Sequence, residues 1–460
     1  MNLSMKNLTL KEIVAASGGV YYGDAESYDK KVSSVVMDSR VVEKDSLFVA
    51  IRGNTVDGHT FIPQTIEAGA LCVISEKRIA NADYPYILVK SSVQALKDVG
   101  EYYRKKLDIT AIGITGSAGK TSTKEMMASV LSQKYSVQKP QGSYNSEIGL
   151  PITILSIEDH HEVAVLEMGI NDFGEMESLS KVGRPDICVL TNIGTAHIEF
   201  LKSRDGILKA KTKIFQYMNP NGKIFLNGDD DKLITVPPYN GIVPTYYGKN
   251  SDFPFYATDI VSKGLKGTTA TYHTPKSSFT ATINVPGVFM VYNALVSVAV
   301  AYALDMDDED IVKGIEAYRT LAGRSNIIET KQYTLIDDCY NAGPITVKGA
   351  VELLSQVDSR KVAILGDMRE LGPEEINLHF GLGAYVAESN VDVLVCIGTL
   401  SENTYKGAKE HGFKQAYHFE TKADFIKEMD SILEPKDTVL LKASRGMRFE
   451  EILELLKHAI

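Results

Sequence analysis

Short apolar runs separated by polar turns open the chain: "SLFVAI", "ALCVIS" and "YILVK" are β-like, with "RGNTVDGH" a turn between the first two. From Asp108 the rhythm changes. "ITAIGIT", "EVAVLEM" and "DICVLTNIG" are apolar runs divided by helical stretches, which predicts βαβ units and a parallel sheet. Between Tyr246 and Pro286 a Thr-rich alternation with glycine turns, "KGLKGTTATYHT", predicts an antiparallel insertion. After "LAGRSN" a second α/β series follows, with strands at "YTLIDD", "KVAILGD", "VDVLVCIG" and "DTVLLKAS". No low-complexity tract or short-period repeat interrupts it. The fold class is α/β in three domains with changes near Leu107 and Ser325. These are a small α/β N-terminal domain at 1–107, a central P-loop-type parallel-sheet domain with the antiparallel insertion at 108–325, and a Rossmann-like C-terminal domain at 326–460.

Length agrees with that division, since 460 residues exceed one ordinary core. A hydrophobic content of 44% and a charged content of 23% are those of a soluble globular chain. The net charge of -10 argues against non-specific nucleic-acid binding, which needs a basic surface. Cys72, Cys188, Cys339 and Cys396 lie far apart with no C-x-x-C pair, and three sit in apolar runs, so buried thiols are expected. The start lacks a secretory pattern, and the longest apolar stretch, "ALVSVAVAYAL", is too short to span a bilayer. A cytoplasmic protein without membrane insertion is expected.

Candidate chemistry begins at "GSAGKTS", between a strand ending at Thr115 and a helix with Met127, Val130 and Leu131 on one face. Backbone N–H groups of Gly116, Ser117, Ala118, Gly119 and Ser122 at a helix start suit phosphate oxygens. Lys120 would neutralise the phosphates, and the Thr121 hydroxyl would ligate magnesium. The strict P-loop pattern wants glycine at 114, where this chain has Ile114 and a neighbouring Gly113. Glu167 closes the apolar run "VAVLE", a strand end where a carboxylate suits magnesium. His197 follows the next strand, and a lone histidine counts only in company.

That company is Lys211. In "GILKAKTKIFQYM", Ile207, Leu208, Ile214, Phe215 and Met218 make one helical stripe, and Lys211 falls on it. Burial favours the neutral amine, which can add carbon dioxide and become a carbamate. A snorkelling lysine stem would satisfy the stripe equally well.

At this point the chain resembles the Mur ligases, ATP-dependent amide-forming enzymes of peptidoglycan synthesis, almost end to end. "GITGSAGKTSTKEM", "SYNSEIGLP", "LEMG" and "NIGTAH" resemble the family's ATP and magnesium elements in order. "KAKTKIF" resembles the segment with the carbamylated lysine, here Lys211. "YNALVSVAVA" places Asn293 as the adenine contact, and "AGRSN" supplies Arg324. "DDCYNAGP", "LGDMRELG" and "KASRGMRFE" are similar to the sub-group that adds a dipeptide, and the D-N-P-R signature of a single-residue-adding sibling is missing. "MDSR", "LFVAIRG" and "DGHTF" resemble the segment that holds the uridine end of the substrate. Departures are Phe289 and Met290 for a His-Asn pair, Ser146 for an asparagine, Gly343 for an asparagine, Ala443 for a glycine, and Lys213 for a glutamate.

The resemblance implies ATP, Mg2+ and a CO2-derived carbamate on Lys211 as cofactors. It implies UDP-N-acetylmuramoyl-tripeptide and D-alanyl-D-alanine as substrates of a monomeric enzyme. ATP would phosphorylate the tripeptide carboxylate, and the dipeptide amine would attack the acyl phosphate. Lys120, Asn145, His197 and Lys211 would be catalytic, and Thr121, Glu167, His197 and Lys211 would hold metal. Arg324 and Asp338 would touch phosphate and ribose. The dipeptide would meet Tyr340, Asn341, Arg369, Lys442, Ser444 and Arg445, and the uridine end Ser39, Arg40, Asp57 and His59. Arg369 and Arg445 could equally make surface salt bridges. Two rival readings are a sibling ligase adding one amino acid or polyglutamate, and a P-loop switch; the N-K-x-D element of a guanine switch does not occur.

Overall fold

The computed structural model describes residues 8–53, 55–140, 142 and 144–459. Asn54 of "RGNTVDGH" and Ser143 of "SYNSEIGLP" lie outside them. The first sheet holds β1 (Val20–Tyr22), β2 (Val35–Val36), β3 (Leu47–Val49), β4 (Cys72–Ser75) and β5 (Tyr86–Leu88) in the order β1-β5-β4-β3-β2. β2 to β5 run parallel, and β1 joins antiparallel. Leu47, Phe48 and Val49 are all fully buried, so both faces of β3 are covered and the run is continuously apolar.

The second sheet holds β6 (Thr110–Thr115), β7 (Val137–Gln138), β8 (Val163–Glu167), β9 (Ile187–Leu190), β10 (Lys223–Asn227), β11 (Thr245–Gly248), β12 (Phe255–Ser262), β13 (Thr268–His273) and β14 (Ser278–Ile283). Its order is β14-β13-β12-β11-β10-β9-β6-β8-β7. β6 lies between β8 and β9 and parallel to both, so the chain leaves it to opposite sides. Such a reversal opens a crevice at the carboxyl ends of the strands.

The segment from Tyr246 to Pro286 carries the expected antiparallel strands and adds them to the edge of the central sheet. β11 runs parallel to β10 and β12 parallel to β11; antiparallel pairing begins only with β13 on β12. The alternation explains why it joins the sheet. Thr268, Ala270 and Tyr272 are buried under the Met290–Ala303 helix. The opposite face pairs the hydroxyls of Thr269 with Thr282 and of Thr271 with Thr280.

A third sheet holds β15 (Asn326–Glu329), β16 (Thr334–Asp337), β17 (Lys361–Gly366), β18 (Val393–Ile397), β19 (Ala416–Phe419) and β20 (Thr438–Lys442). Its order is β15-β16-β20-β17-β18-β19, parallel except for the edge strand β15.

The first two sheets are tied by the Ser92–Lys106 helix, which packs on the Gly149–Leu155 and Glu175–Gly183 helices. Arg104 is the buried rivet. Its guanidinium donates to Gly183 O (3.0 Å), to Arg184 O (3.2 Å) and to Asp186 Oδ2 (2.9 Å). Truncation removes the guanidinium from all three acceptors, Asp186 Oδ2 keeping only Ala111 N (2.8 Å), so Arg104→Ala should cost about 3 kcal/mol in urea unfolding. A loss under about 1 kcal/mol would assign the contact to the surface class.

All four cysteines are free and buried, as their apolar setting predicts, and burial pushes the Cys72 thiol up to about 12. Among the described residues no helix is long and apolar enough to cross a membrane.

Candidate active site

The turn after β6 is shaped by close approach. Gly116 (φ +154°) lies so near β9's end that a side chain there would sit 1.9 Å from Thr191 Oγ1. Ile114 is fully buried inside β6, in register with Glu167 and Val189, so the glycine that the strict pattern wants at 114 would leave a hole in the core. Thr191 Oγ1 donates to Ala118 O (2.6 Å). Asn192 clasps the same residue from both sides, accepting from Ala118 N (2.9 Å) and donating to Ala118 O (3.0 Å). Asn192 was inside the recognised "NIGTAH" segment, yet its role depends on a contact invisible in sequence.

From Gly119 (φ +79°) the chain enters the Lys120–Leu131 helix. This helix is buried nearly all round rather than on one face, because the Met290–Ala303 helix covers it as well as the sheet. Lys120 Nζ folds back onto Gly116 O (2.9 Å). Burial lowers its pKa, the Glu167 carboxylate works against that, and the Arg324 charge adds to it.

Glu167, at the end of β8 and 1% exposed, is the hub. Its Oε1 accepts from Thr121 Oγ1 (3.1 Å) and from Asn145 Nδ2 (2.7 Å). Gly169 N donates to Asn145 O (2.9 Å), so "LEMG" and "SYNSEIGLP" meet here. Lys124 completes the group and was not singled out from sequence. It is fully buried, pairs with Glu125 (2.9 Å), lies 3.8 Å from Glu167 Oε2, and donates to Gly142 O (2.7 Å). Lys124, Met127, Ala128 and Leu131 share one helical stripe, the same signal that marked Lys211.

The Lys211 stripe is real but not one helix. An α-helix runs Arg204–Lys211 and tightens into a 3-10 turn at Thr212–Phe215, and Leu208 is only half-buried. Lys211 is the last α-helical residue and is fully buried. Its Nζ has no hydrogen-bond partner among the described residues, and the same holds for Thr115 Oγ1, Ser117 Oγ and Glu167 Oε2. Burial first, and the Lys120 charge second, push the Lys211 amine well below the ordinary lysine range. His197 lies within reach of both lysine charges, and burial lowers its pKa while Glu370 opposes the shift. Its Nδ1 is 2.5 Å from Glu370 Oε2, a carboxylate from the loop after β17.

Among the described residues no group of three or more His, Cys, Asp or Glu could hold a metal. One carboxylate, one hydroxyl and unsatisfied buried polar atoms are what a magnesium ion needs when phosphates and water supply its other ligands.

On the third sheet's side, Arg324 lies 4.0 Å from the centroid of the Tyr340 ring and Arg445 5.3 Å. The expected ATP and dipeptide residues are therefore not segregated. Asp338 and Lys442, assigned to different ligands from sequence, form a buried pair at 2.5 Å, and Asp338 Oδ1 also accepts from Ser325 N. Lys442 Nζ further donates to Asn341 O (3.0 Å). Ser444 is buried and accepts from Arg369 N (2.9 Å), while the Arg369 side chain is exposed beside Met447. Arg445 pairs with Glu450. Asn293 accepts from Thr123 Oγ1 (3.0 Å) and donates to Met290 Sδ (3.3 Å), so the substituted Met290 braces it, and Phe289 is exposed. Ser122 lies beside the Tyr318 hydroxyl, whose pKa burial raises.

Among the described residues, the side-chain hydrogen bonds of the uridine-side candidates stay within the first sheet's unit and none reaches the glycine turn. Ser39 Oγ accepts from Gln64 (2.9 Å), and exposed Arg40 pairs with Asp38. His59 is different from the expectation. Its Nδ1 meets Asp57 (2.6 Å) and its Nε2 accepts from Glu76 N (3.0 Å), so neither ring nitrogen is left for a ligand. Asp57 also pairs with Lys77 (2.7 Å). Both residues hold their loop.

Three family models match successive segments: Mur ligase family, catalytic domain, over 31–105; Mur ligase middle domain over 114–301; and Mur ligase, glutamate ligase domain, over 323–445. UDP-N-acetylmuramoyl-tripeptide--D-alanyl-D-alanine ligase of Bacillus subtilis (strain 168) is 34% identical over 430 residues, 92% of this chain and 93% of that protein. A crystal structure of MurF from Acinetobacter baumannii matches with a TM-score of 0.89 at 30% identity, covering 99% of this chain and 100% of that one. MurF ligase from Thermotoga maritima in complex with ADP matches with a TM-score of 0.80 at 30% identity, over 92% of this chain and 97% of that one. Similarity of this extent, on a chain whose motifs converge at the ends of β6, β8 and β9, has one meaning: the chain belongs to the Mur ligase family.

Proposed function

We propose that this chain is an ATP-dependent ligase that joins D-alanyl-D-alanine to UDP-N-acetylmuramoyl-tripeptide in peptidoglycan precursor synthesis. The names of its relatives support the substrates, and the ADP complex of the Thermotoga maritima protein supports the nucleotide. The observation that carries the reading is the Thr121–Glu167–Asn145 chain beside the glycine turn, with the buried Lys211 amine nearby lacking a hydrogen bond among the described residues. The units 1–107 and 108–325 would take the uridine end and ATP, and 326–460 the dipeptide with part of ATP.

A carboxylate is a poor electrophile, so the tripeptide carboxylate first takes the γ-phosphoryl group, releasing ADP. The dipeptide amine then attacks the acyl carbon, phosphate leaves, and the amine proton passes to solvent or a nearby base. The chain's task is charge neutralisation and positioning. The turn amides and Lys120 hold phosphate oxygens, and Arg324 adds its charge from the third sheet's side. Thr121 and Glu167 would hold one magnesium ion, and His197 with Lys211 a second. Bound there, magnesium would offset the repulsion between phosphate and carboxylate. Lys211 fits that role as a carbamate: its neutral amine adds carbon dioxide, one N–C bond forms and one proton leaves. The lowered pKa supplies the neutral amine, and the adjacent Lys120 charge favours the resulting anion.

Phosphate release should require D-alanyl-D-alanine together with the nucleotide tripeptide, and single amino acids should support under about a tenth of that rate. A preference for one free amino acid would assign the chain to a different branch of the family.

A further inference from the structure

The loop "TNIGTAH" that follows β9 is gripped from the third sheet's side at two points. Ile345, at the start of the Pro344–Ser355 helix, packs so close that a side chain on Gly194 would come within 2.9 Å of its Cδ1. Glu370, 173 residues along the chain from His197, reaches the Nδ1 of that histidine at 2.5 Å. Both residues of this pair hold left-handed backbone, φ +59° at His197 and φ +63° at Glu370. Non-glycine residues rarely adopt that conformation, which costs about 1 kcal/mol or more each and persists where the surroundings enforce it. Gly372 seats the same loop against the helix behind His197, where a side chain would lie 3.2 Å from Glu199 Cα.

We propose that Glu370 is a positioning residue that sets the tautomer and direction of the His197 ring when the central and C-terminal units are in contact. A carboxylate only accepts, so the His197 proton sits on Nδ1 and Nε2 keeps its lone pair. Nε2 makes no hydrogen bond among the described residues, which leaves it the ligating nitrogen. A carboxylate behind a ligating histidine fixes the ring and raises its basicity. Here that carboxylate comes from another sheet, so separating the units removes it. The metal site at His197 is complete only in the contacted arrangement. This rests on the reading of His197 as a metal ligand.

The test uses the full chain with two readouts besides turnover. In metal-free protein, ¹⁵N resonances of the His197 ring, identified by their loss in His197→Gln, should report Nδ1–H. In Glu370→Ala they should shift toward the Nε2–H form. Manganese affinity, read by electron paramagnetic resonance with a non-hydrolysable ATP analogue, should fall about 10- to 100-fold in Glu370→Ala. Glu370→Gln, whose side-chain oxygen still accepts, should fall between. Unchanged ring resonances and manganese affinity in Glu370→Ala, with both lost in His197→Gln, would overturn the proposal. Unchanged manganese binding in His197→Gln would overturn the ligand reading instead, while the ring resonances still decide whether Glu370 holds the tautomer.

Discussion

Lys211→Ala should lower kcat on the order of 10²- to 10³-fold, with nucleotide binding changed far less. The side chain is fully buried, ends an α-helix, and presents an amine with no hydrogen bond among the described residues. A buried amine in that condition is costly to the fold and is retained for something other than stability. Formate or acetate, diffusing into the space left by Lys211→Ala, should restore part of the rate by returning a carboxylate oxygen. Full activity of Lys211→Ala without them would end the carbamate proposal.

The same residue offers a stability test with the opposite sign. Lys211→Met keeps the stem and removes the amine, so in bicarbonate-free, metal-free buffer it should stabilise the fold by about 1–3 kcal/mol while remaining inactive. The native amine titrates well below the ordinary lysine value, because burial and the Lys120 charge oppose protonation. Between those two pKa values the unfolded chain binds more protons than the native one, so wild-type stability rises with pH across that window. Lys211→Met lacks that slope. Its advantage should therefore be largest toward the acid end of the window and shrink as pH approaches the ordinary lysine value. Denaturant midpoints across a pH series measure it, and an advantage independent of pH would mean that the amine is not held neutral.

Gly116→Ala should be the most damaging substitution in the glycine turn. Its Cβ would sit 1.9 Å from Thr191 Oγ1 on a backbone with φ +154°, and Thr191 is itself hydrogen-bonded to Ala118. The turn must shift, which breaks the Thr191–Asn192 clasp and moves the amides meant for phosphate. We expect nucleotide affinity to fall roughly 10²-fold or more and stability to drop about 2–4 kcal/mol. Gly119→Ala is the control. Its Cβ would meet Asn293 Oδ1 at an ordinary 3.5 Å, leaving only the φ +79° strain, so it should cost less in both measurements. Calorimetric titration with an ATP analogue and thermal melts of both variants give the ranking, and the reverse order would contradict the contact described at Thr191.

Much of the fold was written in local pattern. Continuous apolar runs such as "ICVL" and "VLVCI" became buried parallel strands because both of their faces are covered, and that condition leaves a mark on every residue of the run. The glycine turn, Glu167 and Lys211 were legible for a similar reason. Each combines a residue type with a position on a strand end or helical stripe, which is short-range information.

What the sequence could not reveal lay in contacts between distant segments. The antiparallel strands were legible, but their place at the edge of the central sheet depends on which strand β11 joins. Asn192 reads as any polar residue until Ala118 is brought against it. His59, polar and well placed in sequence, is used up by Asp57 and Glu76. Asp338 and Lys442, read as serving different ligands, neutralise each other. Glu370 lies 173 residues from His197, and only packing of the third sheet on the second makes them partners. Local pattern determined which segments become strands and helices and which side chains could carry chemistry, because periodicity and residue type act within a few residues. Tertiary structure alone decided which of those side chains meet, because hydrogen bonds and charge pairs act over a few ångströms whatever the distance along the chain.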